Sequence, residues 1–168
     1  MLGTILQHEV VELDVRDADK VARAMRKTGV FTEDEVFCAS TMFSQCRAEC
    51  SPCVVRFSGV MDSDQVLKGF VCFGSTPLAE GSFDIYWLAV DPSFQGGGIG
   101  SVLVEHVYQT ARAAGARQLI VETSSSNKYE VGHAVYRHLG FIEVARIPDY
   151  YRPGDDRIVL VRKVADNV

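Results

Sequence analysis

Two periodicities of apolar and polar positions run along this chain, and the switches between them mark out its elements. TILQHEVVELDV (4–15) mixes β-branched and charged positions, as a half-exposed first strand does. In DADKVARAMRKTG, Asp17 is an N-cap candidate, Val21, Ala24 and Met25 share one helical face, and Gly29 is the stop. Thr32 and Glu35 form a capping box, after which Val36, Ala39, Phe43 and Cys46 recur at helical spacing in a second helix ending near Ala48. Three strands are expected at 53–60, 65–74 and 82–90, with turns at MDSD and STPLAEG. After the glycines of FQGGGIGS, the residues Ile99, Val102, Leu103, Val107, Ala111 and Ala114 line one face of a helix ended by Gly115. A fifth strand (117–124), a short helix (130–140) and two last strands, FIEVARI and RIVLVRKV, around a polar loop PDYYRPGDD complete the pattern.

This order predicts an α/β (α+β) fold, with a mixed sheet of about seven strands and helices on both faces. The 168 residues, 47% apolar, suit one domain spanning 1–168. A formal charge of −5 points away from nucleic acid and from anionic membranes. Early acidic residues and the lack of a long apolar run predict a soluble, cytoplasmic protein, and the five cysteines are expected to be reduced.

Glycine at 96, 97, 98 and 100 is unfavourable within a helix or strand, so bare backbone is needed here for another reason. The loop joins a strand ended by Asp91-Pro92 to a helix N-terminus, where free amides and the helix dipole favour an anion. A Walker motif lacks its Lys-Ser/Thr here, and a dinucleotide fingerprint starting at Gly96 would need glycine where Ser101 stands.

Gln95-Gly96-Gly97-Gly98-Ile99-Gly100, with LAVDP before it, SVLVEHV after it and AVYRHLGF further on, resembles the signature of the GNAT superfamily of N-acetyltransferases. The resemblance covers residues 53 to 162 and extends to residues 1 to 52 mainly in element order. It implies a single-domain GNAT fold, mostly antiparallel and splayed between the fourth and fifth strands. It also implies acetyl-CoA as acetyl donor. The pyrophosphate of that donor would lie on the amides of residues 95–101, Ser101 included, and its pantetheine arm along Leu88, Ala89 and Val90. A bulge is expected near Trp87–Ala89, turning an amide toward the oxyanion formed on attack. Tyr136 matches the tyrosine the family places near the coenzyme sulfur. Relatives carry asparagine seven residues before it, where Tyr129 stands here, and Asn127 is the nearest substitute.

Acetyl transfer to an amine requires a base and an acid. A phenol of pKa ~10 stays protonated at pH 7 and can donate to a departing thiolate, which suits Tyr136. For the base, Glu122 on the fifth strand is the first candidate, ahead of Asp84 and Glu80. The acceptor segments implied by the family place Phe31, Glu33, Tyr150 and Tyr151 where an aromatic and acidic wall would hold an ammonium group, and Asp84 and Trp87 on the fourth strand are further substrate candidates. The expected acceptor is an amine on a small molecule or peptide, and exposed strand edges allow a homodimer. His8, His106, His133 and His138 show no joint metal spacing and read as surface or packing residues. Two other readings stay open: a non-catalytic acyl-CoA sensor or interaction module, and a metal protein built on Cys46, Cys50 and Cys53.

Overall fold

The computed structural model describes residues 8–45 and 55–164. Among them one sheet holds seven strands: β1 (Val10–Glu12), β2 (Val55–Met61), β3 (Leu67–Ser75), β4 (Ser82–Val90), β5 (Gln118–Ser124), β6 (Ile142–Arg152) and β7 (Asp155–Lys163). The helices are α1 (Ala18–Thr28), α2 (Glu33–Gln45), α3 (Ile99–Ala113) and α4 (Glu130–His138), with 3₁₀ turns at Val15–Asp17, Pro92–Phe94 and Asn127–Tyr129. Strand order is β1-β2-β3-β4-β5-β7-β6, and only the β4–β5 pair is parallel. This is the mixed, mostly antiparallel sheet expected from the chain. Cys46, Cys50, Cys53 and the expected end of the second helix lie outside the described residues.

Strand alternation explains the two-sided core. On β3, Phe70 and Cys72 pack toward α1 and α2, with Val21, Met25, Val36 and Phe43. Val71 and Phe73 pack toward α3 and α4, with Leu103, Val107 and Tyr136. Each such fully buried side chain contributes about 2–3 kcal/mol of apolar burial. The apolar stripe of α3 is rotated from the expected one: Val104 and Tyr108 are buried, whereas Val102 is half-buried and Ala114 is the exposed C-cap.

Local signals fared well where they were self-contained. The capping box forms as expected, with the Thr32 amide donating to Glu35 (2.8 Å) and the Glu35 amide to Thr32 Oγ1 (3.2 Å). Asp17 precedes α1 but does not cap it; its carboxylate takes the Asp14 amide and the Lys20 ammonium instead. Residues 4–7 of the expected first strand lie outside the described residues, and its other end stops at Glu12, because Asp14 caps a 3₁₀ turn at Val15. The expected polar loop PDYYRPGDD is strand for most of its length and turns at Pro153–Gly154. Asp149 accepts the Gly154 amide (2.6 Å), Asp156 accepts the Asp149 amide (3.0 Å), and a bulge between Ile147 and Arg152 absorbs the extra residues.

The feature that shapes the site is a register defect. Cys72 pairs with Trp87 and Phe73 with Ile85, so Tyr86 is an extra residue on β4. This puts the bulge at Tyr86, just before the expected Trp87–Ala89. The β4–β5 pairing ends at Ile85–Val121, while β5 continues to Ser124 paired with β7. The two parallel strands separate there, and residues 87–90 of β4 have no strand partner on the β5 side.

Candidate active site

The opening between β4 and β5 has a narrow part and a wide part. The narrow groove, about 90 Å³, runs along Leu88, Ala89 and Val90 to Gln95 and Gly100, and is otherwise walled by Val30, Phe31, Lys128, Tyr129 and Val135. The wide cleft, about 370 Å³, lies between Trp87 and Ile85 on one side and Val121, Glu122 and Thr123 on the other. Phe31, Leu88, Tyr129 and Gly132 border both, so the two form one channel. Phe31 meets Tyr129 edge-on at 6.4 Å between ring centroids.

At the narrow end, Asp91 stops β4 and accepts the Ser93 amide (3.0 Å), opening the turn at Pro92. The Lys27 ammonium reaches the same buried carboxylate at 2.6 Å and holds it below the usual carboxylate range against the opposing effect of burial. Gly96 and Gly98 then take φ +81° and +80°, and a Cβ built on either would meet nothing within 4 Å. The glycines serve the left-handed turn and keep an open face. The first bond of the α3 ladder is Val102 N–H to Gly98 O (3.0 Å), so the amides of Ile99, Gly100 and Ser101 precede it. Gln95 turns its amide back onto the Val90 carbonyl (3.2 Å), and His8 Nε2 donates to the Gly97 carbonyl (2.9 Å). Open space, free amides and the positive end of a helix fit a diphosphate.

At the wide end, Tyr136 is 6% exposed, lines the cleft and packs edge-on against Phe141. Burial alone pushes its phenol far above the ordinary range. Glu122 lines the cleft in an ion pair with Arg157, whose guanidinium also bonds the Tyr150 hydroxyl (3.2 Å) and stacks on that ring. Asp84 sits beside Glu122 and Tyr151 in an adjoining depression, its carboxyl pushed up by burial and by the Glu122 charge. Phe31, Trp87 and Tyr151, three of the expected acceptor residues, line the cleft.

Other expected residues are placed elsewhere. Glu33 turns outward to Arg26 (2.9 Å), Tyr150 is half-exposed under Arg157, and Asn127 is exposed at the start of its 3₁₀ turn. Glu80 borders a separate depression with Arg117, at the other end of β4. Conversely, the cleft contains residues that the pattern alone left out. Tyr129 is half-buried in its wall, with its phenol pushed up to about 12 by burial and then by Glu35. Asp155 is buried, accepts from the Ser124 hydroxyl, and takes Arg152 Nε at 3.2 Å. His133 is buried one turn before Tyr136, and that i, i+3 spacing was the available signal for it. Asp155 had no comparable local signal.

Comparison with known proteins bears on this geometry. The model of the acetyltransferase (GNAT) family matches residues 23–141. A solved structure assigned to the GNAT family, from Desulfovibrio desulfuricans, is 33% identical, with TM-score 0.84 over 94% of this chain and 99% of that one. The [ribosomal protein bS18]-alanine N-acetyltransferase of Escherichia coli K12 is 32% identical over 85 residues, 51% of this chain and 56% of that protein. The chain thus spans little more than half the length of that curated relative. An aminoglycoside 6'-N-acetyltransferase solved in complex with coenzyme A shares the fold at 16% identity, with TM-score 0.73 over 95% of this chain and 99% of that one.

Proposed function

This chain belongs to the acetyltransferase (GNAT) family, and on that premise we propose that it transfers an acetyl group from acetyl-coenzyme A to a primary amine by direct attack. The observation that carries this reading is the continuity of three parts: an amide-lined loop at one end, the unpaired edge of β4 along the middle, and a buried tyrosine in the cleft beyond. The same reading takes residues 1–168 as one acetyltransferase domain.

When bound, the coenzyme supplies a thioester whose carbonyl carbon is open to attack. The chain's residues do the rest. Loop amides from Gly96 to Ser101 hold the diphosphate, and the open edge at Leu88–Val90 pairs with the pantetheine arm. The bulge at Tyr86 aims a backbone amide at the oxyanion. Glu122 attracts the ammonium form of the acceptor and takes its first proton, with Arg157 fixing the carboxylate's position. Tyr136, kept neutral by burial, donates its phenolic proton to the departing sulfur.

The acceptor in this reading is an α-amine on an amino acid or peptide. Neutralising an amine of pKa near 8 at pH 7 costs about 1 kcal/mol, against roughly 4–5 kcal/mol for an alkylamine near 10.4. The bS18-alanine relative is named for an acceptor of this chemical kind. Among the described residues no helix is long and apolar enough to cross a membrane.

The test is an amine panel scored by thiol release from acetyl-coenzyme A, containing alanine amide, short peptides, free amino acids and alkylamines. Turnover confined to α-amines supports the reading. Coenzyme binding without thiol release from any amine would mark a sensor instead.

A further inference from the structure

His133 is not needed for binding the donor or for the two proton steps above, yet it is placed among them. It is 7% exposed, faces the cleft, and stands one helical turn before Tyr136. Its Nε2 lies 3.4 Å from Thr123 Oγ1, on the β5 wall of the same cleft. On its other side Nδ1 lies 3.7 Å from Glu130 Oε2. In the tautomer with its proton on Nδ1, toward Glu130, Nε2 accepts from the Thr123 hydroxyl.

We infer that His133, working through the Thr123 hydroxyl, stores the second proton of the acceptor amine and returns it to Tyr136. The inference rests on the acetyl-transfer reading. An ammonium acceptor loses two protons on becoming an amide. The first goes to Glu122 and from there to solvent. As the N–C bond settles, the nitrogen gives its second proton to Thr123 Oγ1, whose own proton moves to His133 Nε2. The C–S bond breaks with the electron pair leaving on sulfur, which takes the Tyr136 proton. The resulting phenolate regains a proton from His133 by the same hydroxyl and one cleft water. One proton is released per turnover, every side chain ends as it began, and Nδ1 never gives up its hydrogen.

The surroundings suit a transient imidazolium. Burial disfavours the charged ring, Glu130 and the Ser124 backbone on β5 favour it, and Arg137 on the same helix opposes it. Glu143 on β6, bonded to Arg146, feels the charge of the ring weakly. The net displacement is below the ordinary histidine value, so the ring is neutral at pH 7.

The experiment combines kinetics with titration of the imidazole resonance of His133, assigned by its loss in His133→Gln. Thr123→Val and His133→Gln are each expected to lower kcat on the order of 100-fold with coenzyme affinity retained. Both should abolish an acid limb of the rate profile lying below the ordinary histidine range, and Thr123→Ser should restore it. Glu130→Gln, at the surface, should move both that limb and the resonance to lower pH. Thr123→Val with the parent's kcat and pH profile would overturn the inference, as would an imidazole that titrates at the free value. A wild-type protein that releases no thiol from any amine, yet whose His133 titrates low, would refute the acetyl-transfer reading and the proton store with it.

Discussion

Replacing Gly98 with glutamate sets a negative charge over the loop amides, and its consequences separate backbone strain from anion binding. Gly98 has φ +80°, which costs an L-residue about 1–2 kcal/mol. Space is not an obstacle, since a Cβ there meets nothing within 4 Å. A carboxylate at a helix N-terminus recovers roughly 0.3–1 kcal/mol, so the free protein loses only about 1 kcal/mol. The bound diphosphate is affected far more. With two phosphate charges about 6 Å from the new carboxylate and an effective dielectric of about 40, each pair costs about 1.4 kcal/mol. The sum, about 2.8 kcal/mol, is roughly a hundredfold in Kd. Gly98→Ala carries the strain without the charge and should keep coenzyme affinity within about threefold. Calorimetric titration with acetyl-coenzyme A, beside thermal melts of both variants, reads the two effects apart. Glutamate and alanine variants with equal, parent-like affinity would refute the placement of the diphosphate on this loop.

Tyr136→Phe is expected to lower kcat about 100-fold while leaving Kd for the coenzyme and Tm near the parent's. Because burial raises that phenol, the wild-type donor stays protonated, and stopped-flow rates should show no alkaline loss from it until well above pH ~10. Glu122→Gln should lower kcat/KM for an ammonium acceptor by about 100-fold and leave coenzyme binding intact, measured by thiol release and calorimetry. Lys27→Met leaves the buried Asp91 carboxylate without its cation. Since Lys27 is half-exposed, the loss at pH 7 is discounted to about 1–2 kcal/mol. Asp91 titrates lower folded than unfolded, so this stability is present above pH ~4 and fades as pH falls through the folded value. Urea melts of parent and variant should therefore differ at pH 7 and converge in strong acid.

Much of the binding end was legible because its determinants are local. A glycine run between a strand and an amphipathic helix specifies left-handed turns and free amides within seven residues. Likewise Thr32 and Glu35 meet because three residues separate them at a helix start. The acceptor end was harder to read. Glu33, Tyr150 and Glu122 are all polar positions of similar appearance, yet Glu33 goes to Arg26 while Arg157 takes both Tyr150 and Glu122. Nothing in the spacing of these residues says which arginine each will meet.

What the chain alone determined, then, is the set of elements, the glycine loop and the helix that carries Tyr136, since these depend on side chains a few positions apart. The tertiary structure decided where the sheet opens and what faces the opening. An extra residue at Tyr86 parts β4 from β5, and the insertion of β7 between β5 and β6 brings Arg157 to Glu122 and Asp155 to Ser124. Those contacts join residues more than thirty positions apart. They follow from strand register, which is settled only when the two faces of the whole sheet are buried together.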